Sequence, residues 1–336
     1  MNKVLCFGEL LLRMSPPADA DWLQKNALPV FVGGAEANVA TALALWGMST
    51  GYCTALPDNF LSKQLATYLN QKNIDTGSIH YSGSRMGIYY LQQGNDVKNS
   101  GVIFDRAGSS FAQLQKGMID WEKVFEGINC FHFSAIAASL TQSAADVCEE
   151  ALQVASKKGI AISVDLNYRN KLWQYGKQPN EVMPLLVKYC DVVMGNIWSA
   201  NVMLDIPLND EWLKQGTKDF YLQQAAQTSK NIQAQFPKVK TVANTFRFDR
   251  YEGIEYYTTL FQKQLFVSAQ YNADKVVDKV GSGDCYMAGL IYGMNNGYSL
   301  QQTLDFATAA AYNKLFIKGD TTNQSVNEIT ATIKNG

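Results

Sequence analysis

Short apolar, β-rich runs recur along the chain and alternate with stretches of helical periodicity. The runs are residues 4–10, 50–56, 130–136, 160–167, 191–196 and 240–246. The helical patterns between them are residues 35–46, 61–71, 142–158 and 181–188. Strands that alternate with helices predict a mainly parallel sheet with helices on both faces. Ligands bind such α/β sheets beyond the carboxyl ends of the strands.

One part of the chain departs from this alternation. Residues 85–93 and 100–108 have strand-like patterns, and the turn-rich segment "GNDVKN" joins them. This predicts a β-hairpin. A further strand can come from "GELLLRMSPP", so we expect one α/β domain over residues 1–336 with a small β lid, formed by inserted segments at about 9–32 and 78–108. The alternative is a hairpin at the edge of the main sheet.

The composition suits a large globular enzyme. The chain has 336 residues, of which 47% are hydrophobic and 18% charged, and its formal net charge is -1. This balance does not indicate binding to nucleic acid or to a membrane surface, and no run approaches the ~20 apolar residues of a membrane span. The apolar N-terminus contains Glu9 and Arg13, which do not suit a signal peptide. We therefore expect a cytoplasmic protein.

Cysteine and histidine usage narrows the chemistry. The six cysteines form no CxxC pair, which favours buried free thiols over a disulfide framework or a metal site. Only two histidines are present, and His132 falls in a predicted strand. These counts argue against a histidine-ligated metal or a Ser-His-Asp triad, so acid–base chemistry is expected to fall to carboxylates and no protein-ligated metal is expected.

The segment "DKVGSGDCYMAG" places two glycines and an aspartate before an apolar helix. The apolar spacing after Asp284 predicts an amphipathic helix that ends at Gly297. Residues 281–283 would then form the helix N-terminus, where free N–H groups and the helix dipole favour an anion, and Asp284 lies where that anion would arrive. A plain helix cap is the alternative. Neither the P-loop nor the dinucleotide fingerprint matches.

A second glycine segment, "FVGGAEANVATALALWG", predicts a helix that begins after Gly33 and Gly34. The glycine pair lets a small polyol approach the backbone. One turn later, Asn38 can both donate and accept hydrogen bonds. On its own, this segment is equally consistent with a packing helix.

Together the two segments resemble the ribokinase-like (PfkB) carbohydrate kinase family. Its N-terminal signature is matched by Gly33, Gly34, Asn38, Ala40 and Gly47. Its C-terminal signature, D-T-x-G-A-G-D, is matched by residues 278–284, followed by Ala288 and Gly289. The order and separation agree over essentially the whole chain. The resemblance implies a ribokinase-like α/β fold and an ATP-dependent sugar kinase that uses Mg²⁺ carried on the nucleotide phosphates.

The middle of the chain suggests the sugar. Residues 85–111 and 165–173 and the late segment "KLFIKGD" are similar to 2-keto-3-deoxygluconate kinases. That resemblance implies substrate contacts from Tyr89, Arg106 and Arg169, with Asp320 as a further contact. Arginine suits the carboxylate of a sugar acid, although both arginines could instead form surface ion pairs. Fructokinases share the D-x-N-x-R pattern of Asp165 to Arg169, so fructose remains the alternative.

The resemblance also implies the division of roles in the site. Asp284 would be the general base for transfer to the terminal hydroxyl, most simply from 2-keto-3-deoxygluconate to its 6-phosphate, and the amides of Gly281, Ser282 and Gly283 would form the anion hole. The substrate would be held by Gly33, Gly34, Asn38, Tyr89, Arg106, Arg169, Asp284 and Asp320. The nucleotide would be held by Asn167, Asn196, Asn244, Arg247, Gly281 and Gly283.

Three departures from the family pattern affect the nucleotide side. Lys279 replaces a small residue, and Ser199 replaces the glutamate of the N-x-x-E motif that begins at Asn196. The segment "ANTFRFDRYEG" matches the glycine-bearing nucleotide segment poorly. A non-catalytic sugar- or nucleotide-binding protein on the same fold therefore remains an alternative, whereas a nicotinamide-dependent dehydrogenase lacks its fingerprint. We also expect a homo-oligomer formed through the exposed strands of the β lid.

Overall fold

The computed structural model describes residues 2–17, 22–94, 101–250 and 253–335. Within them, strands and helices are numbered in chain order. The strands are β1 Lys3–Phe7, β2 Leu11–Met14, β3 Val30–Gly33, β4 Ser49–Leu56, β5 Ile74–Tyr81, β6 Gly87–Tyr90, β7 Ile103–Asp105, β8 Ile128–Ser134, β9 Ala161–Asp165, β10 Val192–Gly195, β11 Thr241–Arg250, β12 Gly253–Phe261, β13 Leu265–Val267 and β14 Tyr271–Ala273. The helices are α1 Ala35–Leu45, α2 Phe60–Asn70, α3 Trp121–Val124, α4 Ala135–Ala138, α5 Gln142–Lys157, α6 Pro179–Val187, α7 Ile197–Leu204, α8 Asp210–Gln215, α9 Lys218–Gln235, α10 Ser282–Asn295, α11 Leu300–Lys314 and α12 Val326–Asn335.

The larger of two sheets has the order β13-β12-β11-β10-β9-β8-β1-β4-β5, and β14 also pairs with β12. Pairing is parallel from β5 across to β11. The pairs that β12 makes with β11, β13 and β14 are antiparallel. The mainly parallel sheet predicted from the sequence is confirmed, whereas the antiparallel strands after residue 250 were not predicted.

Both faces of this sheet are covered, as β1 shows. Its side chains alternate between two hydrophobic cores, because successive strand residues point to opposite faces. Leu5 and Phe7 belong to the core that packs under α5 and α6. Val4 and Cys6 belong to the core formed with α1, α10 and α11. The continuous apolar run at the N-terminus is therefore a strand buried on both faces.

Helix α10 is buried more completely than its sequence pattern predicted. Most of its residues between Cys285 and Gly293 are buried, so the helix is central rather than amphipathic. Gly289 makes this possible, because a Cβ built there would lie 2.5 Å from the Cα of Ala307 in α11. The small residues of "MAGLIYG" thus allow two helices to pack closely.

A separate four-stranded sheet has the order β3-β2-β6-β7. The predicted hairpin pairs β6 with β7 in antiparallel register, and residues 95–100 of its connection lie outside the described part of the chain. Strand β2 joins β6 in parallel. The hairpin therefore belongs to this lid sheet and is not an edge of the main sheet. The lower lid boundary of about 78 needs correction, because residues 78–81 belong to β5 of the main sheet.

All six cysteines are buried and free, in agreement with the sequence. His132 lies in β8 as predicted, where burial lowers its pKa to about 3. Among the described helices, none has the length and apolarity needed to cross a bilayer.

Candidate active site

A cavity of about 540 Å³ lies at the carboxyl ends of the parallel strands. Residues that follow β1, β9 and β10 contribute to it, and lid strand β6 covers one side. Most of the predicted site residues line it, namely Gly34, Asn38, Tyr89, Arg106, Asn167, Arg169, Asn196, Arg247, Gly281, Ser282, Gly283, Asp284 and Asp320. The structure therefore brings together residues from both glycine segments, the lid and three strand ends.

The two glycine segments meet at one hydrogen bond. Asn38, in the first turn of α1, donates from Nδ2 to Oδ2 of Asp284 over 2.7 Å. The Oδ1 atom of Asn38 is buried and has no hydrogen-bond partner among the described residues. One end of the amide thus fixes the carboxylate, and the other end remains able to accept a hydrogen bond from a ligand hydroxyl.

Each helix begins at a glycine that no other residue could replace without strain. Gly281 caps α10 with φ = 79°, and a Cβ there would lie 1.9 Å from the carbonyl oxygen of Asp320. Gly34 caps α1 with φ = 133°, and a Cβ there would lie 2.6 Å from the carbonyl oxygen of Glu9. Both conformations favour glycine. The N-terminus of α10 lines the cavity through Gly281, Ser282 and Gly283.

Asp284 is a carboxyl group with an unusual proton affinity. Burial raises its pKa to about 8, and the nearby Asp165 and Glu36 add to the increase. The hydrogen bond from Asn38 and the charge of Arg169 act in the opposite direction. A carboxylate with a pKa near neutrality is well suited to accept a proton from a hydroxyl group.

Glu36 is a second buried acid in the cavity, and the sequence reasoning missed it. Its Oε1 accepts a hydrogen bond from the backbone N–H of Ser134 at 2.9 Å. Burial raises its pKa to about 7. A Cβ at Gly8 would clash with its Oε2 at 2.0 Å, so the break after β1 makes room for this side chain.

The two predicted arginines are in the cavity but differ in their partners. Arg106 is buried and forms an ion pair with Glu9, which also accepts from Ser109. Arg169 follows β9 and donates from Nη1 to the carbonyl oxygen of Tyr168 over 2.9 Å. Its buried Nε has no partner within the described residues, and burial lowers its pKa. Arg169 also lies near the carboxyl groups of Asp165 and Asp284, and neither arginine is a surface residue.

Asp320 lies where the lid meets the turn before α10. Tyr89 donates from its hydroxyl to Oδ2 of Asp320 over 3.1 Å. Burial raises the pKa of Asp320 to about 6, against the influence of Arg13. Gly33 does not line the cavity; it lies behind this pair, since a Cβ there would be 3.1 Å from Oδ2 of Asp320. The predicted direct contact from Gly33 is thus corrected to a role in close packing.

The opposite side of the cavity is cationic. Lys279 lies 2.8 Å from Oδ1 of Asp249, and Arg247 lies 3.9 Å from the same atom. Lys279 is therefore paired within the protein rather than directed into solvent. Asn196 caps α7 and accepts from the N–H of Ser199, whose hydroxyl in turn accepts from the N–H of Asn196. Ser199 thus completes a capping box at the position of the family's glutamate.

Asn244 was predicted to bind the nucleotide, but its side chain points away from the cavity. It is 2% exposed and donates to Oγ of Ser229 in α9 over 3.3 Å. Its strand neighbours Thr245 and Arg247 line the cavity instead. Residue 244 has the opposite parity to residues 245 and 247 in β11, so its side chain points to the other face.

Glu9 and Arg13 are buried charges near the site whose structural roles the sequence reasoning missed. Glu9 lines the cavity, and Arg13 lies behind it with ion pairs to Asp278 and Asp320. The sequence does contain a sign that Glu9 and Arg13 are buried, because each lies within an apolar run that forms strands. Charged residues are almost never fully buried unless they are paired.

The described residues contain no group of three or more His, Cys, Asp or Glu side chains placed to hold a metal ion.

A helix N-terminus that lines the cavity and a partly buried carboxyl group beside it, with a pKa of about 8, are the features that phosphoryl transfer to a hydroxyl group requires. The sequence profile of the pfkB family carbohydrate kinases matches residues 1–325. The chain belongs to this family, and it is a carbohydrate kinase.

Known proteins similar to this chain include sugar-acid kinases. The 2-dehydro-3-deoxygalactonokinase of Haloferax volcanii is 24% identical over 335 residues, covering 99% of this chain and 97% of that protein. The crystal structure of 2-dehydro-3-deoxygluconokinase from Thermotoga maritima has 33% identity and a TM-score of 0.89, covering 99% of this chain and 100% of that one. A fructokinase from Xylella fastidiosa with bound ATP has 17% identity, a TM-score of 0.76 and coverage of 99% and 98%, which shows a common fold.

These similarities confirm the ribokinase-like fold and the enzyme class predicted from the sequence. They also place the chain among sugar kinases that resemble the kinases of 2-keto-3-deoxy sugar acids. A non-catalytic binding protein is therefore not supported.

Proposed function

We propose that this kinase transfers the γ-phosphoryl group of ATP to the terminal hydroxyl of a 2-keto-3-deoxy sugar acid, with 2-keto-3-deoxygluconate as the favoured substrate. The observation that carries the proposal is the hydrogen bond between Asn38 and Asp284, which puts a partly buried carboxylate beside residues 281–283 at the N-terminus of α10. The names of the similar sugar-acid kinases support the choice of substrate.

The chemistry follows from the positions of these groups. Asp284 accepts the proton of the attacking hydroxyl, a step that typically contributes about 10²–10⁴-fold to the rate. Asn38 holds the carboxylate in place and accepts a hydrogen bond from the sugar through its free Oδ1. The amides of Gly281, Ser282 and Gly283 stabilise negative charge on the phosphoryl group in transit, because they are fixed before the reaction begins.

The carboxylate of the sugar acid would bind mainly to Arg169. Arg169 lines the cavity and its Nε has no hydrogen-bond partner among the described residues, whereas Arg106 forms an ion pair with Glu9. Arg106 and Tyr89 would then shape the rest of the sugar site. A planar guanidinium matches a carboxylate through two parallel hydrogen bonds, which favours an acid over a neutral sugar.

The phosphates of ATP would lie between the N-terminus of α10 and the cationic side of the cavity. Arg247 and Lys279 provide positive charge there, and Asn167 and Asn196 line the same space. Mg²⁺ bound to the phosphates would neutralise their charge. Since Ser199 supplies no carboxylate, these two cations would carry more of that neutralisation than in relatives with a glutamate.

The lid sheet would close over the sugar and exclude water, which limits wasteful hydrolysis of ATP.

We also propose that the edge strands of the lid sheet form the interface of a homo-oligomer. Val30 in β3 and Ile103 in β7 are apolar side chains that are 49% and 63% exposed on the two edge strands. The cytoplasmic location inferred from the sequence remains a prediction.

A coupled assay of ADP release tests the function, with 2-keto-3-deoxygluconate, 2-keto-3-deoxygalactonate, fructose and ribose supplied side by side. We expect kcat/KM to be greatest for one of the two sugar acids. The Asp284→Asn variant should lose at least about 10²-fold in kcat while it still binds the sugar acid in calorimetry. Preference for fructose would favour the fructokinase alternative, and substantial turnover by Asp284→Asn would contradict the role of Asp284 as the base.

A further inference from the structure

Arg13 is a buried arginine of the lid whose guanidinium contacts two carboxylates, those of Asp278 and of the cavity-lining Asp320. It lies in β2 and is 2% exposed. Its Nη2 is 2.8 Å from Oδ2 of Asp278, and its Nε is 2.7 Å from Oδ1 of Asp320. The guanidinium also lies 4.4 Å above the ring of Phe31. Arg13 does not belong to the described lining of the cavity, so a direct substrate contact does not explain its burial.

The two carboxylates belong to different chain segments that meet at the start of α10: Asp278 lies in the turn before this helix, and Asp320 lies in the connection between α11 and α12. Asp278 accepts hydrogen bonds from the backbone N–H of Val280 at 3.0 Å and of Gly319 at 3.1 Å. The carbonyl oxygen of Asp320 lies directly against Gly281, where a Cβ would come within 1.9 Å. The orientation of the amides at 281–283 is therefore set by two chain segments that the guanidinium of Arg13 joins.

The same network reaches the sugar side of the cavity. Arg13 and Tyr89 are register partners in the parallel pair of β2 and β6. Tyr89 donates a hydrogen bond to Oδ2 of Asp320, whereas Arg13 forms an ion pair with Oδ1 of the same carboxylate and donates its hydrogen bond to Asp278. Side chains from two neighbouring lid strands therefore contact Asp320, and Gly281 packs against the backbone of Asp320.

We propose that Arg13 is a positioning residue that ties the lid sheet to the anion-binding turn and keeps the amides of residues 281–283 aligned with the phosphoryl group. This inference rests on the proposed role of those amides. Removal of one partner from a buried ion-pair network leaves uncompensated charge. Without the guanidinium, Asp278 and Asp320 would keep only the buried Lys314 as a cationic neighbour, and the turn that contains Asp278 would shift.

The test compares Arg13→Ala with Arg85→Ala in the coupled assay. Arg85 is the comparison because it is also an arginine of the lid region with an aspartate partner, Asp105, but its side chain is 37% exposed and its other hydrogen bonds go to the carbonyl oxygens of Asp105 and Ala107. We expect Arg13→Ala to lower kcat about 10²-fold, the size of effect that a misplacement of about 1 Å can cause. The KM for the sugar acid should change little. Millimolar guanidinium chloride should restore part of the lost kcat in Arg13→Ala and have no such effect on Arg85→Ala.

Two results would overturn the inference. One is a rise in KM at unchanged kcat, which would show that Arg13 serves substrate binding. The other is a loss of kcat that guanidinium does not relieve at all, which would show a general structural role. If Arg13→Ala does not fold, Arg13→Lys keeps the charge but cannot span both carboxylates; its kcat should fall at unchanged KM, and an unchanged kcat would also overturn the inference.

The proposed function is tested separately in the same assay by Asp284→Asn. An active Asp284→Asn variant would refute the mechanism itself. An inactive Asp284→Asn variant together with a fully active Arg13→Ala variant would refute only the positioning role.

Discussion

At the scale of single residues, Asp284 combines two properties that usually exclude each other. It is partly buried, which favours its neutral form, yet it lines the cavity where a hydroxyl group would have to be deprotonated. The hydrogen bond from Asn38 supports the charged form. The result is a group that carries a proton at neutral pH in the free enzyme and releases it near pH 8.

The pKa of Asp284 predicts the pH dependence of catalysis. Only the ionised carboxylate can accept a proton, so kcat/KM should rise about tenfold per pH unit below pH 8 and level off above it. Steady-state rates between pH 6 and 9 measure this, with the coupling enzymes checked at each pH. Glu36, with a pKa of about 7, can broaden the rise. A profile that is flat from pH 6 upwards would contradict a raised pKa in the free enzyme.

The same shift predicts a pH dependence of stability. The folded-state pKa of Asp284 lies above its unfolded value, so folding is favoured most when the group is protonated and loses stability as pH rises toward 8. Asp284→Asn removes this loss. Its melting temperature should exceed that of the wild type, and the difference should grow between pH 5 and 8 and then level off. Thermal unfolding in buffers of constant ionic strength measures this, and a constant difference would contradict the assignment.

Arg169 should determine the preference for an acidic substrate. Loss of a buried, charge-assisted contact costs about 2–5 kcal/mol, so Arg169→Met should lower kcat/KM for the sugar acid at least about 30-fold. Activity with fructose, a neutral ketose, should change much less. Arg169→Lys serves as the comparison, because it keeps the charge without the planar fork. An equal loss of kcat/KM for both sugars would show that Arg169 does not recognise the carboxylate of the sugar acid.

At the scale of elements, the placement of α10 depends on its small residues. Gly289 lies against the backbone of α11, where no additional methyl group fits without movement. This close approach fixes the position of α10, and therefore of its N-terminus, relative to the main sheet. The glycine next to the catalytic segment thus has a packing role, separate from the roles of residues 281–283.

Gly289→Val should separate α10 from α11. Overpacking typically costs about 1–3 kcal/mol, and the free energy of unfolding in urea should fall by at least that amount. Gln153→Val is the control, because it introduces the same side chain at an exposed position of helix α5. Equal stability of the two variants would show that α11 moves aside at little cost.

Elements with strong local signals were predictable, and elements defined by pairing were not. Both glycine-initiated helices, α1 and α10, begin where the sequence predicted, because a helix N-terminus depends on a few neighbouring residues. The extension of β11 into an antiparallel pair with β12 was missed, since its partner strand is fixed by tertiary contacts. Asn244 was misassigned for the same reason, because one residue of strand parity decides which face a side chain occupies.

At the scale of the whole molecule, the meeting of the two glycine segments was predictable from the family resemblance, but the charge network around them was not. Asn38 and Asp284 are 246 positions apart and make a direct hydrogen bond. The ion pairs of Arg13 with Asp278 and Asp320 bridge similar separations. Contacts between residues so far apart in the sequence leave no periodic pattern. Their sequence signal was a charged residue, such as Arg13, within an apolar run.

Because all six cysteines are buried, the reactivity of their thiols measures whether the protein is folded. Burial raises the pKa of each thiol, and the thiolate is the form that reacts with alkylating reagents. Iodoacetamide should therefore leave the native kinase unlabelled and active, while six adducts should appear by mass spectrometry once urea opens the chain. The extent of alkylation would then measure the opened fraction directly, without any change to the sequence, and rapid labelling of the native enzyme would reveal breathing motions that expose its interior.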